Sequence, residues 1–283
     1  MIKSKLAVFA FAAIAAGKAH ASLLFLSNTY VNLGYVVNEN PANYAQDYEP
    51  GVRFSSIGLS AGGVTDNALA NLSTGQLKVL NRGAVGPNFG NVNTDAEALL
   101  GDTITSSGSV GGLNLGVNIA VSGATTSDNI NDNSTYLEIT AFTPGTFATN
   151  GFFNSANVLF ETGYSLGTGS QSSPSLRFGG TAAGHFLDGI SNLSVAIPFS
   201  TLPSTFELTV ALRSSEIGSS QNWNSDYSHT LNVALSAPAG INLTSASGTF
   251  PGTVTSTPEP GTFALGLPIL AAVAFRCRKE LAR

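Results

Sequence analysis

Between residues 22 and 252 the apolar positions come in short runs, and in the clearest of them every second side chain is apolar. Leu113-Asn-Leu-Gly-Val-Asn-Ile-Ala-Val and Phe206-Glu-Leu-Thr-Val-Ala-Leu both read this way. A period of two gives a strand with one buried and one wet face. Alternation and β-branched content predict strands over 113–121, 135–142, 157–160, 194–197, 206–212, 230–235 and 240–243. Clusters of Gly, Asn, Ser and Pro at 106–112, 127–134, 143–145, 163–175 and 236–240 are turn signals between them. Only 94–100 has helical spacing, and it is two turns long. Many short strands at even spacing predict an all-β fold, an antiparallel β-sandwich of jelly-roll-like form. No linker divides 22–252, so a single domain is expected.

The two ends break this pattern. Residues 1–21 open with Lys3 and Lys5, run apolar from Leu6 to Ala16, and close on Ala19-His20-Ala21. A charged start, a short apolar stretch and an A-x-A site, cut after Ala21, are the layout of a secretory signal peptide. An apolar run of about 11 residues is too short to span a bilayer, which takes roughly 20. At the other end, residues 253–283 hold Pro258-Glu259-Pro260, an apolar stretch at 261–275, and Arg276, Arg278 and Lys279. Fifteen residues make a helix of about 22 Å, short of the hydrocarbon core, and Pro268 weakens it further. The bases behind it stay cytoplasmic by the positive-inside rule. The tail therefore reads as a temporary transmembrane hold that leaves the body outside.

Composition sharpens the picture. Charged residues make up 10% of the chain against about 25% in a typical soluble domain. The surface must be neutral and polar, which excludes nucleic acid as a partner, since phosphate contacts need clustered bases. Residues 1–21 carry +3, 258–283 carry +2 and the stretch between carries −10. The single cysteine, Cys277, lies in the tail, so the body contains no disulfide and folds on burial alone.

Thr257-Pro-Glu-Pro-Gly-Thr, the short apolar helix and the basic end resemble the PEP-CTERM sorting signal of Gram-negative bacteria. Thr257 stands where that family usually has Val, and Cys277 interrupts the basic cluster. The resemblance implies a partner, an exosortase-type membrane transpeptidase that reads Pro258, Glu259 and Pro260 and removes the tail after export. Two prolines around Glu259 hold an extended backbone that such an enzyme can thread. Segments starting at Ala70, Leu99 and Ser225 resemble segments recurring in exported proteins of that family. The resemblance implies a surface or extracellular-matrix protein in bacteria that make exopolysaccharide; it supplies no catalytic residues to carry over, and no cofactor is expected.

Candidate chemistry in the body is sparse. His185 and His229 lie near Asp188 and Asp226, without a nucleophile elbow or zinc-ligand spacing. Asp128, Asn131 and Asp132 crowd oxygen donors into 127–134 at a density that suits calcium. Their spacing departs from the EF-hand loop, and the same residue types build turns. Trp223, the only tryptophan, and Tyr227 sit in Gln221-Asn-Trp-Asn-Ser-Asp-Tyr, an Asn/Ser-rich stretch expected to be a loop whose rings could face a sugar. The expected function is a non-enzymatic exported protein associated with exopolysaccharide. The alternatives are a lectin-like module around Trp223 and a secreted polysaccharide hydrolase working through paired carboxylates.

Overall fold

The computed structural model describes residues 25–36, 43–50, 53–85, 91–108, 111–129, 133–147, 154–166, 184–186, 189–218 and 221–248. They form β1 (Phe25–Val36), β2 (Asn43–Pro50), β3 (Phe54–Ala61), β4 (Val64–Asn71), β5 (Gln76–Ala84), β6 (Asn91–Ser107) and β7 (Asn114–Ser127). The second half supplies β8 (Asn133–Phe142), β9 (Val158–Leu166), β10 (Gly184–Phe186), β11 (Gly189–Pro198), β12 (Thr205–Gly218), β13 (Asn222–Ser236) and β14 (Asn242–Ser245). The larger sheet runs β10-β9-β8-β12-β6-β1-β2, with β14 also on β6; the smaller runs β11-β7-β13-β5-β4-β3. Pairing is antiparallel except between β9 and β10. The alternation read from the sequence thus becomes an all-β sandwich.

β6 is the spine of the larger sheet. β12 lies along one side of it. On the other side β1 pairs with residues 91–102 and β14 with residues 104–107. The helical spacing at 94–100 does not produce a helix, because this stretch is enclosed between β1 and β12. Ala and Leu fall at enough positions to satisfy either period, and pairing on both sides outweighs local helix propensity. Ala96, Ala98 and Leu100 enter the main core while Leu99 joins a smaller cluster with Leu26, Phe142, Phe147 and Ala211. Glu207 seats that smaller cluster by accepting from the backbone N–H groups of Gly145 (2.8 Å) and Phe147 (2.7 Å).

The main core fills the gap between the sheets with Leu77, Leu115, Ile104, Phe206, Leu208 and Leu235, all essentially unexposed. Each such side chain is worth about 1.5–3 kcal/mol of burial. This apolar filling occupies the end where β6 meets β14, which we call the near end. Toward the opposite end, where β13 starts and β12 finishes, the filling becomes polar.

Candidate functional site

At that far end, inward-facing positions on six strands carry hydroxyls and one amide. In the smaller sheet the register sets Asp66, Asn81, Ser225 and Thr125 side by side across β4, β5, β13 and β7. The larger sheet offers Thr94, Ser214, Thr135 and Glu216 from β6, β12 and β8. The two rows meet. Asn81 Oδ1 accepts from Trp223 Nε1 (2.6 Å) and from Thr94 Oγ1 (3.0 Å), and Asn81 Nδ2 donates to the Ser214 carbonyl (3.2 Å). Thr135 Oγ1 lies 3.1 Å from both Ser214 Oγ and Ser225 Oγ. The chain continues through Thr125 Oγ1 to the Tyr227 hydroxyl, 3.2 Å away. A connected network of this kind offsets the desolvation of its members and fixes how the sheets stack.

Two acids, Asp66 and Glu216, sit inside this layer, and Asp66 does so at a cost. Asp66 is fully enclosed, and neither carboxylate oxygen has a hydrogen bond of ordinary geometry among the described residues. Burial, then the nearby Asp95 charge, push its pKa up from 3.8 to about 8, against a lowering pull from the Asp95 backbone N–H. The side chain is therefore a neutral acid at pH 7. Asp95 itself faces Arg213, whose guanidinium grips both of its oxygens and also reaches the Tyr136 hydroxyl at 3.0 Å.

The aromatic pair expected on a loop is instead in β13, inside the sandwich. Trp223 is 3% exposed and Tyr227 2%. Each lies over a glycine: a Cβ on Gly83 would stand 2.1 Å from the Trp223 ring, and one on Gly123 2.2 Å from the Tyr227 ring. Trp223 also packs on Leu33, Val64 and Val85. The alternation Trp223, Ser225, Tyr227 was masked by the Asn and Ser between and beside the rings, which read as loop residues. Neither ring offers a face to a sugar.

Asp128 closes the far end. Its carboxylate accepts from the backbone N–H of Gln221 and of Asn222 (2.8 Å) and from Asn222 Nδ2. These contacts fix the start of β13, a turn-locking role for Asp128. Asn131 and Asp132 lie outside the described residues, among which no group of three or more metal-binding side chains assembles. Beside Asp128, a depression of about 290 Å³ is lined by Thr126, Ser127, Asn222, Trp223 and Asn224. Of the histidines, His185 falls in β10 and His229 in an irregular stretch of β13 between Tyr227 and Leu231. Asp188 lies outside the described residues.

The near end gathers the two ends of the described body. Phe25 is the register partner of Asp102, and Asp102 in turn accepts from Ser247 N (3.1 Å) and Ser247 Oγ (2.6 Å). Burial pushes the Asp102 pKa up, and the two Ser247 bonds and one from Ser245 pull against it. Arg53 completes the clasp by donating to the Ser247 carbonyl while its guanidinium sits 5.6 Å above the Phe25 ring. Residues 1–21 with Ala19 and Ala21, the Pro258-Glu259-Pro260 motif and the basic residues Arg276, Arg278 and Lys279 lie outside the described residues.

On the β11–β7–β13 part of the smaller sheet the outer face carries short polar side chains. Across β11, β7 and β13, Ser194 Oγ donates to Asn118 Oδ1 and Asn118 Nδ2 to Ser236 Oγ, both at 2.9 Å. No protein-family model matches the chain, and no curated protein matches it.

Proposed function

We propose that the chain is a non-enzymatic surface or extracellular-matrix protein that meets polysaccharide through the outer face of its smaller sheet. In this reading the signal peptide exports it, residues 261–275 hold it briefly in the inner membrane, and an exosortase-type transpeptidase cuts near Pro258-Glu259-Pro260. The observation that carries the reading is the near-end clasp. Phe25, which follows the export signal, pairs with Asp102 in the strand register, and Ser247, which precedes the sorting tail, bonds the Asp102 carboxylate. A body suspended by one corner keeps its far end and its faces clear of the membrane. The carboxylates support a structural role too: Asp102, Asp128 and Glu207 are each spent on backbone N–H groups.

The test is mass spectrometry of the C-terminal peptide from the native host. The expected mature protein ends between Thr257 and Gly261, and replacing Pro258, Glu259 and Pro260 together by alanine leaves Arg283 intact in the membrane fraction. Intact Arg283 on the wild-type surface protein would overturn the reading.

A lectin-like second reading is favoured by the 290 Å³ depression beside Asp128, where Asn222 and Asn224 could bond sugar hydroxyls. It expects glycan-array binding that Asn224→Ala abolishes while leaving thermal stability unchanged. An array signal that Asn224→Ala leaves intact would dispose of it.

A further inference from the structure

The charge of the body is divided between the two sheets. Strands β2, β6, β8, β9 and β12 of the larger sheet carry nine carboxylates and one cation, Arg213. The strands of the smaller sheet carry two carboxylates, Asp66 and Asp226, and two cations, Lys78 and Arg82. Asp66 is enclosed between the sheets, and Asp226 is turned onto Ser228, accepting from its N–H and hydroxyl. The outer face of β5 is thus the cationic part of an otherwise acidic body. Among the described residues the ion pair is Arg213 with Asp95, so neither Lys78 nor Arg82 is neutralised there.

A groove of about 320 Å³ lies on that same face. Register explains its shape. One transverse row is Ser56, Leu69, Lys78 and the next is Gly58, Asn67, Leu80. Gly58 supplies no side chain, and the Asn67 amide lies over it, so close that a Cβ there would fall 2.1 Å from Asn67 Oδ1. Half-buried Leu69 and Leu80 form an apolar floor, the exposed Ser56 and Asn67 form a polar rim, and Ser228 adds to the lining. Lys78 stands at the β5 end of its row and contributes to the lining of the groove.

We propose that this groove binds a uronic-acid residue of an acidic polysaccharide, with Lys78 meeting the sugar carboxylate. The inference deepens the polysaccharide reading above and rests on it. A pyranose ring has an apolar C–H face that suits the leucine floor, hydroxyls that suit Ser56 and Asn67, and in a uronic acid one carboxylate for one cation. A phosphate polymer is a poorer fit, since two cations make no extended basic track. Asp226, the register partner of Leu80, is the carboxylate beside the groove, and it is engaged by the N–H and hydroxyl of Ser228.

The experiment measures binding of the tail-less mature protein to immobilised polygalacturonate and to neutral dextran at physiological ionic strength. Circular dichroism checks that Lys78→Gln and Lys78→Arg remain folded, as substitutions of a surface side chain should. Loss of a charge-assisted contact is expected to weaken polygalacturonate binding at least about tenfold in Lys78→Gln. Lys78→Arg should stay within about threefold of wild type, and dextran should not compete. Dextran binding that ignores Lys78, without polygalacturonate binding, would overturn the inference and leave the wider polysaccharide reading standing. Binding to neither polymer would defeat both. Equal dependence on Lys78 with DNA alone as the bound polymer would overturn the sugar assignment.

Discussion

Asp66→Asn is expected to raise the thermal midpoint substantially at pH 7 and to leave it unchanged near pH 4. Asp66 carries a native-state pKa of about 8 against 3.8 for an ordinary aspartate. An acid whose native pKa is raised gives stability in full below its unfolded pKa, and loses it as pH rises toward the native value. Between pH 3.8 and about 8, folding must take up a proton or bury a charge, and each pH unit costs about 1.4 kcal/mol. At pH 7 the accumulated cost is on the order of 4 kcal/mol. Asparagine has the same shape, does not ionise, and can donate where the carboxylate could not. At about 2–4 °C per kcal/mol for a body of this size, the gain is roughly 10 °C. Calorimetry of both proteins from pH 4 to pH 9 reads it directly. The two midpoints should diverge as pH rises and run parallel above pH 8; a constant gap, or a variant less stable throughout, would refute the assignment of a buried, protonated Asp66.

The same residue explains where the sequence was legible and where it was not. Strands β7, β8, β11 and β12 alternate cleanly because their inward positions hold Leu, Val, Ile and Phe, and the period of two reveals them. The first five strands were missed. In β4 the inward positions are Val64, Asp66, Ala68 and Ala70, and in β5 they are Leu77, Val79 and Asn81. An acid and an amide at the second or third inward place break the apolar alternation just where these strands cross the far end. Thr94 does the same in β6, and Ser225 between the two rings of β13. The polar layer therefore hid the strands that build it. A search for polar residues at the inward parity of weakly alternating segments would have found both together. The groove was hidden for a different reason. Its two rows exist only through the β3–β4–β5 register, and strand register is set by pairing partners distant in sequence. The export and sorting features depend on no pairing at all, so they were readable as linear motifs.

Trp223→Ala is expected to be the most damaging single substitution in the far end. The indole fills the space that Gly83 leaves empty, packs on Leu33, Val64 and Val85, and satisfies Asn81 Oδ1 through its N–H. Truncating a buried aromatic to alanine costs about 3–5 kcal/mol, and the network bond adds to it. Trp223→Phe separates the two contributions. It keeps most of the ring and removes the donor, so the loss should fall to about 1–2 kcal/mol, the worth of one buried hydrogen bond. Because this is the only tryptophan in the chain, wild-type fluorescence provides an independent check. A ring 3% exposed should emit in the blue, resist iodide quenching, and shift to the red only on unfolding. Saturating glycan should leave the emission unchanged, since the ring faces Gly83 and not the solvent. A Trp223→Ala protein as stable as wild type, or emission that a sugar quenches in the folded state, would place the ring on the surface and reinstate it as a binding residue.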